Sequence, residues 1–196
     1  MLTQNTFHLF DDYYLELSIR AEVIPFFEKH ESAIFPDRAD TNYKNIYSQE
    51  ERNLMKELNK NLKDALQLYF FIKKGEEKIG WAIGKQISHD TYQMNNTSIF
   101  ETYRNKGIYK KVLSTLLNIL KEKGFQKVIS YHHPVNNAVI VPKLKTGFII
   151  TGMQMHENFG TLVQLTYYFN ETNKKLIDYR VGYAKSDDEL KNILGI

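Results

Sequence analysis

The sequence predicts a mixed α/β fold, one sheet built round a single β–α–β unit and flanked by helices. Three observations predict it. Tyr109, Val112, Leu113, Leu116, Leu117 and Leu120 recur at spacings of three and four, with Lys110, Lys111, Ser114, Thr115, Asn118, Lys121 and Glu122 on the other face. That is an amphipathic helix over 107–123, stopped by Gly124. β-rich runs flank it, SIF at 98–100 ending one strand and KVISYHH at 127–133 forming the next. Two further pairs of β-rich runs, 66–88 about KKGEE and 148–169 about HENFG, read as hairpins.

The remaining elements follow in order. Residues 6–20 are aromatic-rich, and YYLELSIR at 13–20 reads as a first strand rather than an early helical turn. Ala21, Ile24, Phe26 and Phe27 have roughly helical spacing, with Pro25 expected near that helix's start. FPDRADTNY at 35–43 is a loop. Ser48 and Glu51 form a capping box before a helix with Leu54, Leu58, Leu62 and Ala65 on one stripe. TYQMNNTSIF at 91–100 is a strand, and 136–145 is weakly helical around Pro142. The tail from Glu171 is polar, with a second capping box at Ser186 and Glu189. At 196 residues one domain is expected. Its parts are an N-terminal segment over 1–65, a core over 66–169 and a C-terminal extension over 170–196.

Composition excludes several chemistries. The chain has no cysteine, which removes disulfides, thiolate metal sites and a cysteine acyl-enzyme. A formal net charge of +3 means that any basic function is local. The lysines at 106, 110, 111, 121, 123 and 127 read as a solvated helix face, because no aromatic residues interleave them and Glu122 interrupts; no nucleic-acid partner is expected. No apolar run approaches the roughly 20 residues of a membrane span, and MLTQNTFHLFDD lacks the basic start of a signal peptide, so a soluble cytoplasmic protein is expected. His132, His133 and His156 raise the question of zinc. Adjacent strand residues point to opposite faces and no carboxylates join them, so no metal is expected.

Chemistry concentrates before the central helix. Arg104, Asn105, Lys106 and Gly107 make a short basic turn between strand and helix. The first N–H groups of a helix have no partner within it, and its dipole favours negative charge there, so this junction is suited to hold an anion. The stretch Arg104-Asn105-Lys106-Gly107-Ile108-Tyr109 resembles the cofactor motif R/Q-x-x-G-x-G/A of the GNAT (GCN5-related N-acetyltransferase) family, which uses acetyl-CoA. A second resemblance follows at the proper distance. HHPVNNAVIVPKLKTGF at 132–148 is similar to the family's strand-end, Pro, Asn, helix, Lys-x-Gly-Phe segment, with Pro134, Asn136, Lys145, Gly147 and Phe148 in register.

The resemblance covers about 66–169. It implies a GNAT-like, mostly antiparallel central sheet with a splayed β–α–β cofactor unit, and acetyl-CoA (coenzyme A) as cofactor. It places the pyrophosphate on the N–H groups of roughly Lys106 to Tyr109, with Gly107 allowing close approach and Arg104 and Lys106 adding charge. It lays the pantetheine arm along Ser98 to Glu101, so that Ile99, Phe100 and Glu101 join Arg104, Asn105, Lys106, Gly107, Ile108 and Tyr109, with Asn136 opposite. Two positions depart from the family pattern. Tyr109 stands where a small residue is usual, so its ring must turn inward, and Lys143 stands where the family has a tyrosine acid.

An amine acceptor of pKa about 10 must lose a proton before it attacks a thioester. The strand at 91–100 offers no carboxylate beyond Asp90. His132, with an imidazole ordinarily titrating near about 6.5, and Tyr131 are therefore the candidate proton acceptors. At the family's tyrosine position, either Lys143 holds the departing thiolate electrostatically or the acid is absent or supplied by another residue. A backbone N–H near Ile99 to Glu101 would serve the oxyanion. Tyr13, Phe26, Phe27 and Tyr43 either line an acceptor pocket or form core, and Trp81 reads as core. The function expected is acetyl-CoA-dependent N-acetyl transfer to a small-molecule or peptide amine by direct transfer; the alternative is a non-catalytic CoA-binding or sensing domain. A homodimer is compatible with the polar tail and the closing hairpin.

Overall fold

The computed structural model describes residues 4–35 and 47–196. The expected loop beyond Phe35, Tyr43 included, lies outside the described residues. The period-two segments form one eight-stranded sheet: β1 (Thr6–Phe10), β2 (Tyr13–Ser18), β3 (Gln67–Lys74), β4 (Glu77–Gln86), β5 (Thr91–Ile99), β6 (Lys127–His132), β7 (Ile149–His156) and β8 (Gly160–Tyr168). Their spatial order is β1-β2-β3-β4-β5-β6-β8-β7. Every neighbouring pair is antiparallel except β5 and β6. Those two are joined by α3 (Ile108–Glu122) as the expected β–α–β unit. The other helices are α1 (Arg20–Ile34), α2 (Gln49–Lys60), α4 (Asn137–Thr146), α5 (Glu171–Arg180) and α6 (Asp188–Leu194).

Alternation divides the core between the two faces. Leu68, Phe70 and Ile72 of β3, Tyr92 and Met94 of β5, and Val128 of β6 bury one face beneath Val112, Leu113, Leu116, Leu117 and Leu120 of α3. Each such side chain contributes roughly 1.5–3 kcal/mol by leaving water. Tyr69, Phe71 and Trp81 turn to the other face and pack against Val23, Ile24, Phe26 and Phe27 of α1. Trp81 is thus core, its Nε1–H donating to Asn96 Oδ1 at 2.8 Å. Tyr13 belongs to the α3 face of the core, and Phe26 packs edge-on against Phe71 and Trp81. Of the described aromatics expected at an acceptor pocket, Phe27 is the one that reaches a cleft.

Some expectations are corrected. The aromatic 6–20 stretch makes two strands, with Asp11 at φ 45° in the turn between them. Pro25 stands in the second turn of α1, where its missing N–H removes one intrahelical bond. The Ser48–Glu51 box is formed, each backbone N–H donating to the other side chain. The stripe beyond it finds no partner among the described residues, and Leu54, Leu58 and Leu62 stay 60%, 67% and 59% exposed. In the tail the cap of α6 is Asp187, whose Oδ1 accepts from Leu190 N–H at 2.9 Å. Glu189 leaves the expected box with Ser186 to bind Thr172 and Lys175 of α5, a helix the polar tail did not announce.

One irregularity positions the site. β5 pairs with β6 only from Thr91 to Gln93, against Lys127 to Ile129, and the strands then part. The root of this fork is pinned by the Asp90 carbonyl, which accepts from the N–H groups of Gln126 and Lys127 at 2.9 and 3.2 Å. On its other edge β5 carries a bulge at Asn95, between the pairs Gly84–Met94 and Ile83–Asn96. A bulge bends its strand and increases the local twist. Beyond it β4 and β5 run so close that a Cβ on Gly80 would meet the Ser98 carbonyl oxygen at 2.2 Å.

Candidate active site

After β5 the chain makes a single 3-10 turn over Glu101–Tyr103, then Arg104 to Gly107, then α3. Asn105 and Gly107 are left-handed, at φ 61° and 78°. Gly107 is the residue that caps α3, and it offers no side-chain bond to the helix. No acidic residue stands in the first turn. The helix start is therefore positive and uncapped, and a Cβ on Gly107 would meet nothing within 4 Å. Arg104 Nε donates to the Ile99 carbonyl at 3.0 Å and ties the turn to the strand end. Lys106 Nζ lies 5.2 Å from the centre of the Tyr103 ring, whose hydroxyl donates to Glu77 at 2.6 Å. Ile108 is buried and Tyr109 packs against the core, its ring turned inward as its helical position requires. Burial pushes the Tyr109 hydroxyl far above its ordinary value.

The fork exposes a strand edge. Phe100 N–H donates to the Ile79 carbonyl at 2.9 Å, and Gly80 stands opposite Ile99. Antiparallel alternation therefore turns the Ile99 and Thr97 backbone groups away from β4, into the fork. This narrows the edge expected over Ser98 to Glu101. Ser98 and Phe100 face β4, and the Phe100 ring is committed to α1, lying 5.8 Å from Phe26 and 4.8 Å from His30. Glu101 is exposed in the turn.

The parted strands open into a cleft of about 1450 Å³. Tyr109, Tyr131, His132, Asn136 and Lys143 all line it. Ile99, Phe100, Glu101 and the 104–108 turn are not part of that lining. Phe27 and Tyr69 supply an aromatic side, and Gln154 and His156 of β7 a polar one. His133 lines the cleft as well, although alternation with His132 would send it to the opposite face. It lies past the last residue of β6, where strand geometry no longer applies.

Lys143 is the most unusual group here. It reaches inward from α4 and is 1% exposed. Its Nζ donates to Ser130 Oγ at 2.6 Å, approaches Met94 Sδ at 3.7 Å and lies 4.9 Å from the centre of the Phe148 ring. No carboxylate pairs with it among the described residues, and burial pushes it down to about 7. His132 Nε2 is 3.0 Å from the same Ser130 Oγ. Burial first, then the nearby Lys143 and His133, push His132 down to about 3. The expected titration near 6.5 is thus overturned, and His132 is neutral at physiological pH. Tyr131 faces the other way, its hydroxyl donating to Gln164 Oε1 at 2.9 Å. Sequence reasoning passed over Ser130; its signal was its place two residues before His132, hence on the same strand face.

Among the described residues no group of three or more His, Asp or Glu side chains could hold a metal, and no helix is long and apolar enough to cross a membrane. A fold of this kind is found in solved acetyltransferase structures. The ribosomal-protein-S5-alanine acetyltransferase from Vibrio fischeri matches with a TM-score of 0.62 at 15% identity, over 85% of this chain and 97% of its own. A GNAT family acetyltransferase from Elizabethkingia anophelis, with acetyl-CoA bound, matches with a TM-score of 0.56 at 16% identity, over 82% and 100%. A Salmonella typhimurium acetyltransferase that modifies the N-terminal serine of ribosomal protein L7/L12 matches with 0.61 at 12% identity, over 84% and 99%. These are likenesses of fold. No protein of curated function matches the chain. The sequence pattern of the acetyltransferase (GNAT) family matches residues 22–142, more than half of the chain. The chain belongs to that family: it is an acyltransferase, and acetyl-CoA is the donor.

Proposed function

We propose that the protein moves the acetyl group of acetyl-CoA directly to the amine of a peptide or small molecule held in the cleft. The observation that carries this reading is Lys143, a buried amine in the fork where the family has a tyrosine. Protonated, it is positioned to donate to the departing thiolate as the carbon–sulfur bond breaks. The N–H groups of Lys106 to Tyr109, with Arg104, Asn105 and Lys106 around them, suit the pyrophosphate. The edge offered by the Thr97 backbone and the Ile99 N–H suits the pantetheine arm, with Asn136 opposite and the Ile99 N–H available to the oxyanion. His132 faces the incoming amine; Tyr131 lines the same cleft with its hydroxyl held by Gln164. Without cysteine, transfer proceeds within a ternary complex. We place the reaction in the cytoplasm, where acetyl-CoA is supplied.

Calorimetric titration with acetyl-CoA tests the donor site, and no binding at millimolar donor would end the reading. Release of CoA is then followed with a thiol reagent, whose background is low because the chain has no cysteine. The acceptors are peptides with free N-terminal alanine or serine, spermidine, lysine and glucosamine. Turnover with at least one amine is expected. Tight binding without turnover on any of them would favour the non-catalytic alternative.

A further inference from the structure

Amide formation makes two demands on protons. The amine must lose one and the thiolate must gain one, and in this fork the groups that serve the two ends touch a common atom. Ser130 Oγ lies 2.6 Å from Lys143 Nζ and 3.0 Å from His132 Nε2. Ser130 is fully buried, so no water competes for its hydroxyl. The other ring nitrogen of His132, Nδ1, has no hydrogen-bond partner among the described residues and is not a buried atom, so it opens onto the cleft that His132 lines. The remaining ionisable groups on this part of the lining are Tyr109 from α3, and Tyr131 and His133 from β6 and its end. The described lining contains no Asp or Glu.

We propose that His132, Ser130 and Lys143 form one proton relay that carries the proton lost by the acceptor amine to the CoA thiolate. This rests on the N-acetyltransferase reading above and adds to it the identity of the path. As the N–C bond forms and the C–S bond breaks, the amine proton passes to His132 Nδ1. Protonated Lys143 gives a proton to sulfur; its neutral Nζ then takes the Ser130 O–H proton, and Ser130 Oγ takes the proton of His132 Nε2–H. The acceptor enters the fork as the free amine, its first proton already given to solvent. Each relay group then takes one proton and gives one, so none changes charge, and His132 returns to its starting tautomer when the cleft opens to water after product release. The relay also accounts for a histidine that is a poor standing base. A group that cannot hold a proton in the dry fork can still transmit one, because imidazole accepts at one nitrogen as it releases from the other. Ser130 touches neither substrate and acts as a positioning residue between two groups that do.

The full chain with CoA bound is used for the test. In the wild type, the 15N resonances of the His132 ring are expected to move as Lys143 titrates. In Ser130→Ala that response should disappear, and in Ser130→Thr, which keeps the hydroxyl, it should persist. With the best amine of the panel above, Ser130→Ala should lower kcat at least tenfold. Its KM for acetyl-CoA should stay within twofold, and the solvent isotope effect should shrink toward that of a single proton in flight; Ser130→Thr should recover most of the rate. A folded Ser130→Ala protein with wild-type donor affinity overturns the relay if its His132 still follows Lys143 or its kcat is unchanged. Absence of CoA release by the wild type with every amine would instead sink the transferase reading, and the resonance experiment would still decide whether the three groups are coupled.

Discussion

Replacing Lys143 with methionine should make the protein more stable while disabling it, and the gain should depend on pH in a calculable way. An unfolded lysine holds its proton up to about pH 10.4, whereas buried Lys143 releases it near 7. Between those values the unfolded chain binds more protons than the folded one, so stability rises with pH. The penalty of the buried ammonium is fully present below pH 7 and is relieved as pH climbs toward 10. At about 1.36 kcal/mol per pH unit, the penalty is on the order of 4–5 kcal/mol at pH 6 and about 2 kcal/mol at pH 9. Methionine fills a similar volume beside Met94 and Phe148, removes the penalty and gives up the hydrogen bond to Ser130, worth about 1 kcal/mol. Lys143→Met should therefore unfold at higher urea than the wild type, by about 3 kcal/mol at pH 6 and about 1 kcal/mol at pH 9. The other titrating groups are shared, and of them only His132 feels Lys143 directly, so the difference between the two pH values reports mainly on Lys143. If Lys143 is the acid we propose, its loss should lower kcat by about 100-fold. An equal stability difference at both pH values would refute the argument that Lys143 is buried and neutral-leaning.

Two further outcomes follow from the same geometry. Gly107→Trp places an indole in the open space before α3 and also forces a side chain into the left-handed region, at a cost of about 1 kcal/mol. Calorimetry should show acetyl-CoA affinity reduced at least tenfold in a folded protein; unchanged affinity would move the pyrophosphate away from this turn. Asp90→Asn keeps the backbone carbonyl that pins the root of the fork and removes the charge of the carboxylate beside it. The Asp90 carboxylate accepts from Thr91 and Ser88 at 2.6 and 2.8 Å and faces Lys127 at 3.4 Å, and these hold it down at about 2. A depressed carboxyl stabilises above its unfolded value and loses that contribution as pH falls through 2. The variant should be less stable by about 1–2 kcal/mol at pH 7. Its urea midpoint should converge with the wild type as pH falls toward 2, and a constant gap would count against the cause.

Much of this was legible in the chain, for identifiable reasons. The α3 helix and its turn were clear because a strict three-and-four period met a glycine that only a left-handed position requires. The β3–β4 and β7–β8 hairpins were clear because KKGEE and HENFG break two β-rich runs. What could not be read was set at a distance. The local sequence places Ser130 on the His132 face but does not show its burial, which arises because α4 lays Lys143 across it from 13 residues away. The depressed titration of His132 has the same origin, so the ordinary imidazole value was the wrong guide. Asp187 displaced Ser186 as a cap because Glu189, needed for the capping box, finds Lys175 and Thr172 on another helix.

Under the proposed function, in which Lys143 takes the place of the family's tyrosine acid, the exchange is coherent once the dryness of the fork is considered. Burial opposes charge, so it raises a phenol and lowers an amine. Tyr92 shows the first effect in the adjoining core and Tyr109 shows it in the cleft lining itself, both pushed well above the ordinary phenolic value. A tyrosine acid at position 143 would surrender its proton less readily the more thoroughly it was enclosed. Lysine behaves oppositely: the enclosure that leaves it 1% exposed brings it to about 7, near the ordinary thiol range of about 8.5. Proton transfer is most efficient when donor and acceptor values lie close together and close to the working pH. A lysine acid is therefore favoured by a tightly closed fork, and Ser130, Met94 and Phe148 around Nζ are the groups that close it.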